Sequence, residues 1–308
     1  MTRLADLSID ALTALLAGRG LSLDFGDARA RIRSEVAGLA PAIQRAYGEF
    51  AHDADASFHD VAVRLRWRGG AERLGGARIE LESDADIPFE PFPAGIHLPL
   101  LEWGLNYLLA QRLNHRLLLH AGVVELDGHA IVMPALPGTG KSTLTAALVT
   151  RGARLLSDEF GIVGLEDGRL HPMVRPVSLK NASIDVMSAF ASDATFVPRF
   201  PGTRKGTVAY LAPDARSYRE RHVPAVPGLV LFPRYEPGAQ IRVETLSKAR
   251  AFAKLAVNSF NYEILGPDGF DAVGRLLQAS EVYRLSYGSL ADAIDAIGEL
   301  VSRLERHA

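Results

Sequence analysis

The stretch Ala130-Ile131-Val132-Met133-Pro134-Ala135-Leu136-Pro137-Gly138-Thr139-Gly140-Lys141-Ser142-Thr143 decides how this chain is read. It passes from an apolar strand, through a loop with two glycines, into a helix-forming segment that runs on to Arg151. The loop approximates the phosphate-binding pattern G-x-x-x-x-G-K-[S/T]. Gly140, Lys141 and Ser142 fit it, and Ala135 stands where the first glycine is usual. The physical demands of the pattern are still met. Gly138 and Gly140 let backbone N–H groups turn inward around a phosphate, and the helix presents its N-terminus to the same charge. Lys141 can bridge β- and γ-phosphates, and Ser142 can offer its hydroxyl oxygen to Mg²⁺. The expected ATP-binding residues are therefore Pro137, Gly138, Thr139, Gly140, Lys141, Ser142 and Thr143. A glycine-containing strand–helix turn with a chance Lys-Ser would share the bare pattern, but not its strand–loop–helix setting. The loop alone does not separate kinase from ATPase or GTPase.

Working outward, one helix later the chain reads Arg154-Leu155-Leu156-Ser157-Asp158-Glu159-Phe160. An apolar pair ending in two adjacent carboxylates can supply one metal contact and one base beside a γ-phosphate. A solvated acidic turn is the rival reading. Upstream, Leu117 to Leu126 and His129 to Met133 flank Asp127-Gly128, a pair suited to a type I′ turn, so a hairpin is predicted to lead into the loop.

The whole chain limits the choices. Its 308 residues are 48% hydrophobic and 23% charged, enough to bury a real core. A net charge of -2 gives no electrostatic footprint for nucleic acid. With no cysteine, thiolate metal sites, disulfides and thiol catalysis are excluded together. No apolar stretch reaches the length a bilayer needs, and the chain reads as soluble and cytoplasmic.

Leu7, Leu12, Leu15 and Leu16 predict a helix ending at Gly18 and Gly20, and Leu21 to Ile32 alternates as one strand. Pro41 to Phe50 reads as a helix, and Val61–Trp67 and Arg78–Glu82 as strands separated by the Gly69-Gly70 and Gly75-Gly76 pairs. The three prolines of Ile87 to Pro93 argue against a strand or helix there. They mark the expected boundary between an N-terminal α+β domain, residues 1–93, and a second domain, residues 94–308. Beyond it, Pro99 to Leu113 reads as a helix, much of Ala153 to Tyr235 as strands and loops, and the last third as helices. There Phe252, Leu255, Ala256 and Ser259 share one face, and Leu290, Ile294, Ile297, Val301 and Leu304 another. Trp67 and Trp103 read as packing residues.

The segments Leu119-His120-Ala121-Gly122, Lys141-Ser142 and Arg151-Gly152-Ala153-Arg154-Leu155-Leu156-Ser157-Asp158-Glu159 together resemble the HPr kinase/phosphorylases, themselves similar around the nucleotide to ATP-dependent phosphoenolpyruvate carboxykinases. The chain looks more closely like the group called HprK-related kinase A. That likeness adds Arg175 to Asn181, Lys205-Gly206-Thr207, Phe232-Pro233-Arg234-Tyr235 and Asn261-Tyr262. The resemblance implies an α/β fold: a P-loop domain of the HPr kinase/phosphoenolpyruvate carboxykinase type, preceded by a small α+β domain. It implies Asp158 as general base, Glu159 with Ser142 as the Mg²⁺ site, and His120 and Lys141 as active-site residues. For His120 a half-buried strand histidine bonded to backbone is the alternative. Two departures stand out. Met173 replaces the family's glutamate in Glu-x-Arg-Gly-x-Gly, and Pro176 and Ser178 replace its glycines. Reverse phosphorylase activity, and HPr itself as substrate, are therefore not carried over.

A transferring phosphoryl group needs fixed cations, and Arg175, Lys180, Arg204 and Lys205 are the candidates; Arg234 and the neutral Asn258 or Asn261 are weaker candidate contacts. Lys205, between Gly202 and Gly206, reads as a mobile contact. The expected function is ATP- and Mg²⁺-dependent transfer to a hydroxyl, a serine of a peptide or small protein. A small-molecule hydroxyl and a non-catalytic ATP sensor in a biosynthetic complex are the alternatives. The N-terminal domain would dock substrate or act as a lid, and the resembling kinases assemble as homo-oligomers.

Overall fold

A computed structural model describes residues 2–53, 56–68, 76–83, 86–134 and 138–307. Ala135, Leu136 and Pro137 of the loop, and residues 69–75 with most of the two glycine pairs, lie outside the described residues. The fold is mixed α/β.

The N-terminal part comprises α1 (Ile9–Ala17), β1 (Leu21–Asp24), β2 (Arg29–Ser34), α2 (Leu39–Ala46), β3 (Val61–Trp67), β4 (Arg78–Ser83) and β5 (Phe92–Pro93), followed by α3 (His97–Arg112). Its five strands form one sheet in the order β1-β2-β3-β4-β5. The single strand expected from Leu21 to Ile32 is two, folded back so that Leu21 pairs with Ile32. Asp24 makes the break: its Oδ1 accepts the Gly26 N–H at 3.0 Å, and Gly26 takes φ +116°. The alternation of apolar residues survived the turn, which is why it read as continuous. The proline-rich segment also differs from expectation. Phe92-Pro93 adds an edge strand to β4, a place where a proline's missing N–H costs no ladder bond. Helix α3 packs on β3, β4 and α2, and one apolar core runs from Leu23 and Ile79 through Leu105 to Leu118 and Leu179.

The rest of the chain supplies β6 (Arg116–Leu126), β7 (His129–Pro134), α4 (Lys141–Thr150), β8 (Arg154–Ser157), β9 (Phe160–Gly164), β10 (Leu170–His171), β11 (Val177–Lys180), α5 (Ala182–Phe190), β12 (Phe200–Thr203), β13 (Gly206–Leu211) and α6 (Ala215–Arg219). It continues with β14 (Val226–Tyr235), β15 (Arg242–Thr245), α7 (Lys248–Val257), α8 (Tyr262–Leu265), α9 (Pro267–Gln278), β16 (Glu281–Tyr287) and α10 (Leu290–His307). Leu126 pairs with His129 across a two-residue turn in which Asp127 and Gly128 both have positive φ, the I′ geometry expected of Asp-Gly. The large sheet runs β10-β9-β6-β7-β14-β16-β15, with β8 also on β6; β7, β14 and β16 are parallel.

Its central strands are apolar on both faces because both are covered. Ile131, Met133, Leu229 and Leu231 meet α4 and α10 through Leu144, Leu148, Ile297 and Val301. Ala130, Val132 and Val230 alternate to the other face, against Leu255 of α7 and Ala272, Val273 and Leu276 of α9. Ser259, expected on the α7 face, lies past that helix's end. A smaller antiparallel sheet, β11-β13-β12, packs beside α4 and α5.

Candidate functional site

Strand β7 delivers the chain to the loop, and α4 carries it away. Gly138 and Gly140 take φ +88° and +93°, a region open to glycine and costly for other residues. A Cβ on Gly140 would also stand 2.7 Å from Tyr287 Oη. The turn is held from the end of β14, where Tyr235 N–H donates to the Thr139 carbonyl at 3.0 Å. The first helical bond is Leu144 N–H to Gly140 O, 2.9 Å. Lys141, Ser142 and Thr143 thus open the helix, where backbone N–H groups have no carbonyl one turn back. Ser142 and Thr143 are half-buried.

Strand β6 crosses α4 so closely that a Cβ on Gly122 would collide with the Thr145 hydroxyl. That approach brings His120 on β6 and the acidic pair after β8 to the head of the helix. Lys141 Nζ donates to the Asp158 carbonyl oxygen and lies 3.3 Å from Asp158 Oδ1. Asp158 Oδ2 accepts the Ser178 N–H of β11 at 3.3 Å. Both side chains are buried, Asp158 at 2% exposure and Lys141 at 9%. Glu159 is different: its side chain is 30% exposed, and its Oε2 lies 3.4 Å from His120 Nε2. Desolvation pushes the Glu159 carboxyl up, but the hydrogen bond from His120 and the charges of Lys141 and Lys180 outweigh it. They hold it well below the usual carboxylate range.

His120 is itself fixed. Its N–H donates to the Asn258 carbonyl and its carbonyl accepts from Asn258 Nδ2, both at 2.8 Å, while its ring meets the Phe260 ring at 5.7 Å. Asn261 continues the clasp on β6. Its Oδ1 accepts Leu118 N–H at 2.9 Å and its Nδ2 donates to Arg116 O at 2.8 Å. Asn258 and Asn261 therefore act on β6 backbone, and His120 combines a backbone-held strand position with a side chain turned to Glu159.

The other cations separate into groups. Lys180 and Lys205 both act on Glu159, and Lys205 is lowered by desolvation and by the like charge of Lys180. Lys205 sits in a two-residue hairpin turn between Thr203 and Gly206, where Thr203 Oγ1 accepts its N–H at 3.0 Å and Asn181 Nδ2 donates to its carbonyl at 3.3 Å. Arg175, expected as a phosphate contact, commits both Nη groups elsewhere, to Glu102 Oε2 at 2.6 Å and Asn106 Oδ1 at 2.5 Å. Tyr47 Oη donates to the other Glu102 oxygen at 2.5 Å. Arg204 and Arg234 pair with Glu90 and Glu236 at the surface. Trp67 is 42% exposed and does not pack as expected, whereas Trp103 receives the Lys205 ammonium over its ring at 5.6 Å.

Glu102, Tyr47 and Tyr210 were not singled out from sequence. Glu102 left a trace: it lies on the buried stripe of α3 with Leu98, Leu105 and Leu109, and an acid there needs a buried partner. Tyr47 and Tyr210 left none.

Among the described residues, no group of three or more His, Cys, Asp or Glu could hold a metal by itself. Mg²⁺ takes one or two carboxylates and completes its shell with phosphates and water, and the oxygens of Ser142, Asp158 and Glu159 are donors of that chemical kind. Also among the described residues, no helix is long and apolar enough to cross a membrane.

No protein-family model matches the chain, and no curated protein sequence does. Among solved structures, it is similar to the HPr(Ser) kinase/phosphatase from Coxiella burnetii at 14% identity, covering 61% of this chain and 97% of that one, with a TM-score of 0.25. At that score the likeness carries no argument about this chain's chemistry. The reading of the site rests on its geometry.

Proposed function

We propose that the chain is an ATP-dependent phosphotransferase whose nucleotide site is the turn at Gly138–Gly140 with the head of α4, in a P-loop domain of the HPr-kinase type. The observation that carries this is the meeting of Lys141, Asp158, Glu159 and His120 at one helix N-terminus. The helix head and Lys141 would neutralise β- and γ-phosphates. Ser142, with Asp158 once Lys141 turns to the phosphates, would hold Mg²⁺, which when bound adds further neutralising charge.

Two features favour Glu159 over Asp158 as proton acceptor, reversing the roles read from sequence. Asp158 is buried and occupied by Lys141 and the Ser178 N–H, whereas Glu159 is part-exposed and oriented by His120. Asp158 then anchors Lys141. Glu159 is a weak base while Lys141 and Lys180 hold its charge in place; phosphate oxygens that draw off Lys141 remove one of those influences and raise its basicity. Lys180 and Lys205, whose charges act on Glu159, would add positive charge near the transferring group.

The test is transfer of label from γ-labelled ATP to separate peptide and metabolite pools. Glu159→Gln should lower transfer by at least about 100-fold and leave nucleotide affinity within a few-fold. Transfer at the wild-type rate in Glu159→Gln would refute its role as base.

A further inference from the structure

Strands β7, β14 and β16 run parallel, so their carboxyl ends meet at one edge of the sheet, beside the turn at Gly138–Gly140. In open α/β sheets that edge is where ligands bind. Tyr235 ends β14 and Tyr287 ends β16; the two are register partners, with ring centroids 5.6 Å apart. Their surroundings differ. Tyr287 is 1% exposed and belongs to the core shared with α4 and α10, whereas Tyr235 is 46% exposed.

Tyr235 is rooted at the turn itself. Its N–H holds the Thr139 carbonyl at 3.0 Å, and a Cβ on Gly140 would stand 3.0 Å from the Cβ of Tyr235. The backbone that follows is fixed as firmly. Glu236 N–H donates to Tyr287 O at 2.9 Å and Ala239 N–H to Glu236 O at 3.0 Å. Gly288 packs so closely there that a Cβ on it would stand 2.6 Å from Ala239 O. An aromatic side chain is thus held in place at the rim of the turn, with nearly half its surface open. The sugar and base of a nucleotide extend away from phosphates seated at the helix head, and Tyr235 is an exposed aromatic on that border. Every nucleobase has a π-face that stacks on such a ring, and a ring already fixed loses little freedom when it does so.

We propose that Tyr235 is the platform on which the base of the bound nucleotide stacks. Tyr287 backs it, packing against the Tyr235 ring while its own Oη lies 3.5 Å from Gly140 O. The proposal deepens the nucleotide-site reading and rests on it. Stacking uses the ring and not the hydroxyl, and it acts on the base and not on the phosphates. Those two properties separate a platform from a residue that merely braces the turn.

Calorimetric titration of the full chain with Mg²⁺ and two probes tests it. One probe is the non-hydrolysable β,γ-imido analogue of ATP; the other is inorganic tripolyphosphate, which carries the phosphates without sugar or base. Expected is tighter binding of the analogue than of tripolyphosphate by the wild type. Tyr235→Ala should weaken the analogue by about tenfold and leave tripolyphosphate unchanged, and Tyr235→Phe should bind the analogue as the wild type does. Analogue affinity unchanged in Tyr235→Ala would overturn the platform and leave the phosphate site standing. Equal losses for both probes would show that Tyr235 only braces the turn, and a loss in Tyr235→Phe as large as in Tyr235→Ala would assign the effect to the hydroxyl; either result overturns stacking. A wild-type chain that binds neither probe would end the nucleotide-site reading and the platform together.

Discussion

Glu159 stands under opposed influences: desolvation raises its pKa, while His120, Lys141 and Lys180 lower it, and the second set wins. A folded-state pKa below the unfolded value means that the contribution to stability is complete above the ordinary carboxylate value of 4.5. It is lost as pH falls through that value towards the folded one. The gap in thermal midpoint between wild type and Glu159→Gln should therefore shrink as pH falls from about 6 to about 3. A gap that stays constant over that range would contradict the charge arrangement. At this scale the sequence was only partly readable. Asp158, Glu159 and Lys141 could be picked out because loop, helix and acidic pair are spaced in sequence as they meet in space, and His120 only through the family resemblance. Which carboxylate faces solvent depends on Ser178, which reaches Asp158 from a different sheet. Nothing in the order Asp158-Glu159 reveals that. Arg175 misled for a related reason: its partner Glu102 is 73 residues away in the chain.

Strand β6 is the element that aligns the site, and the segment Asn258 to Asn261 holds it in place. Asn261 is 1% exposed and satisfies two backbone groups of β6, so Asn261→Ala leaves a buried N–H and a buried carbonyl without partners. The expected cost is about 2 kcal/mol in denaturant titration, with slower transfer because His120, two residues beyond Leu118, loses its register. Stability within about 0.3 kcal/mol of wild type would show that β6 does not depend on this clasp. The β6–β7 hairpin was legible from Asp127-Gly128 because the turn chemistry is local. The β1–β2 reversal was not, since Asp24 forms the turn without interrupting the apolar alternation. The glycines flanking Lys205 allow a tight turn, and the bonds that Thr203 and Asn181 make to it could not be read from those glycines.

Across the whole molecule, the N-terminal sheet and α3 share a core with the segment that carries the acidic pair, and the buried Tyr47–Glu102–Arg175 chain crosses between them. The wall facing Glu159 is thus built partly from α3. Glu102, Trp103 and Asn106 of α3 line that wall. The central claim is transfer of the γ-phosphoryl group to a hydroxyl, and phosphorus NMR of ATP and Mg²⁺ incubated with the full chain and pools of serine peptides and hydroxyl-bearing metabolites tests it most directly. Expected is a new phosphomonoester resonance growing in step with ADP. Growth of ADP with inorganic phosphate alone, or ATP left intact, would contradict it.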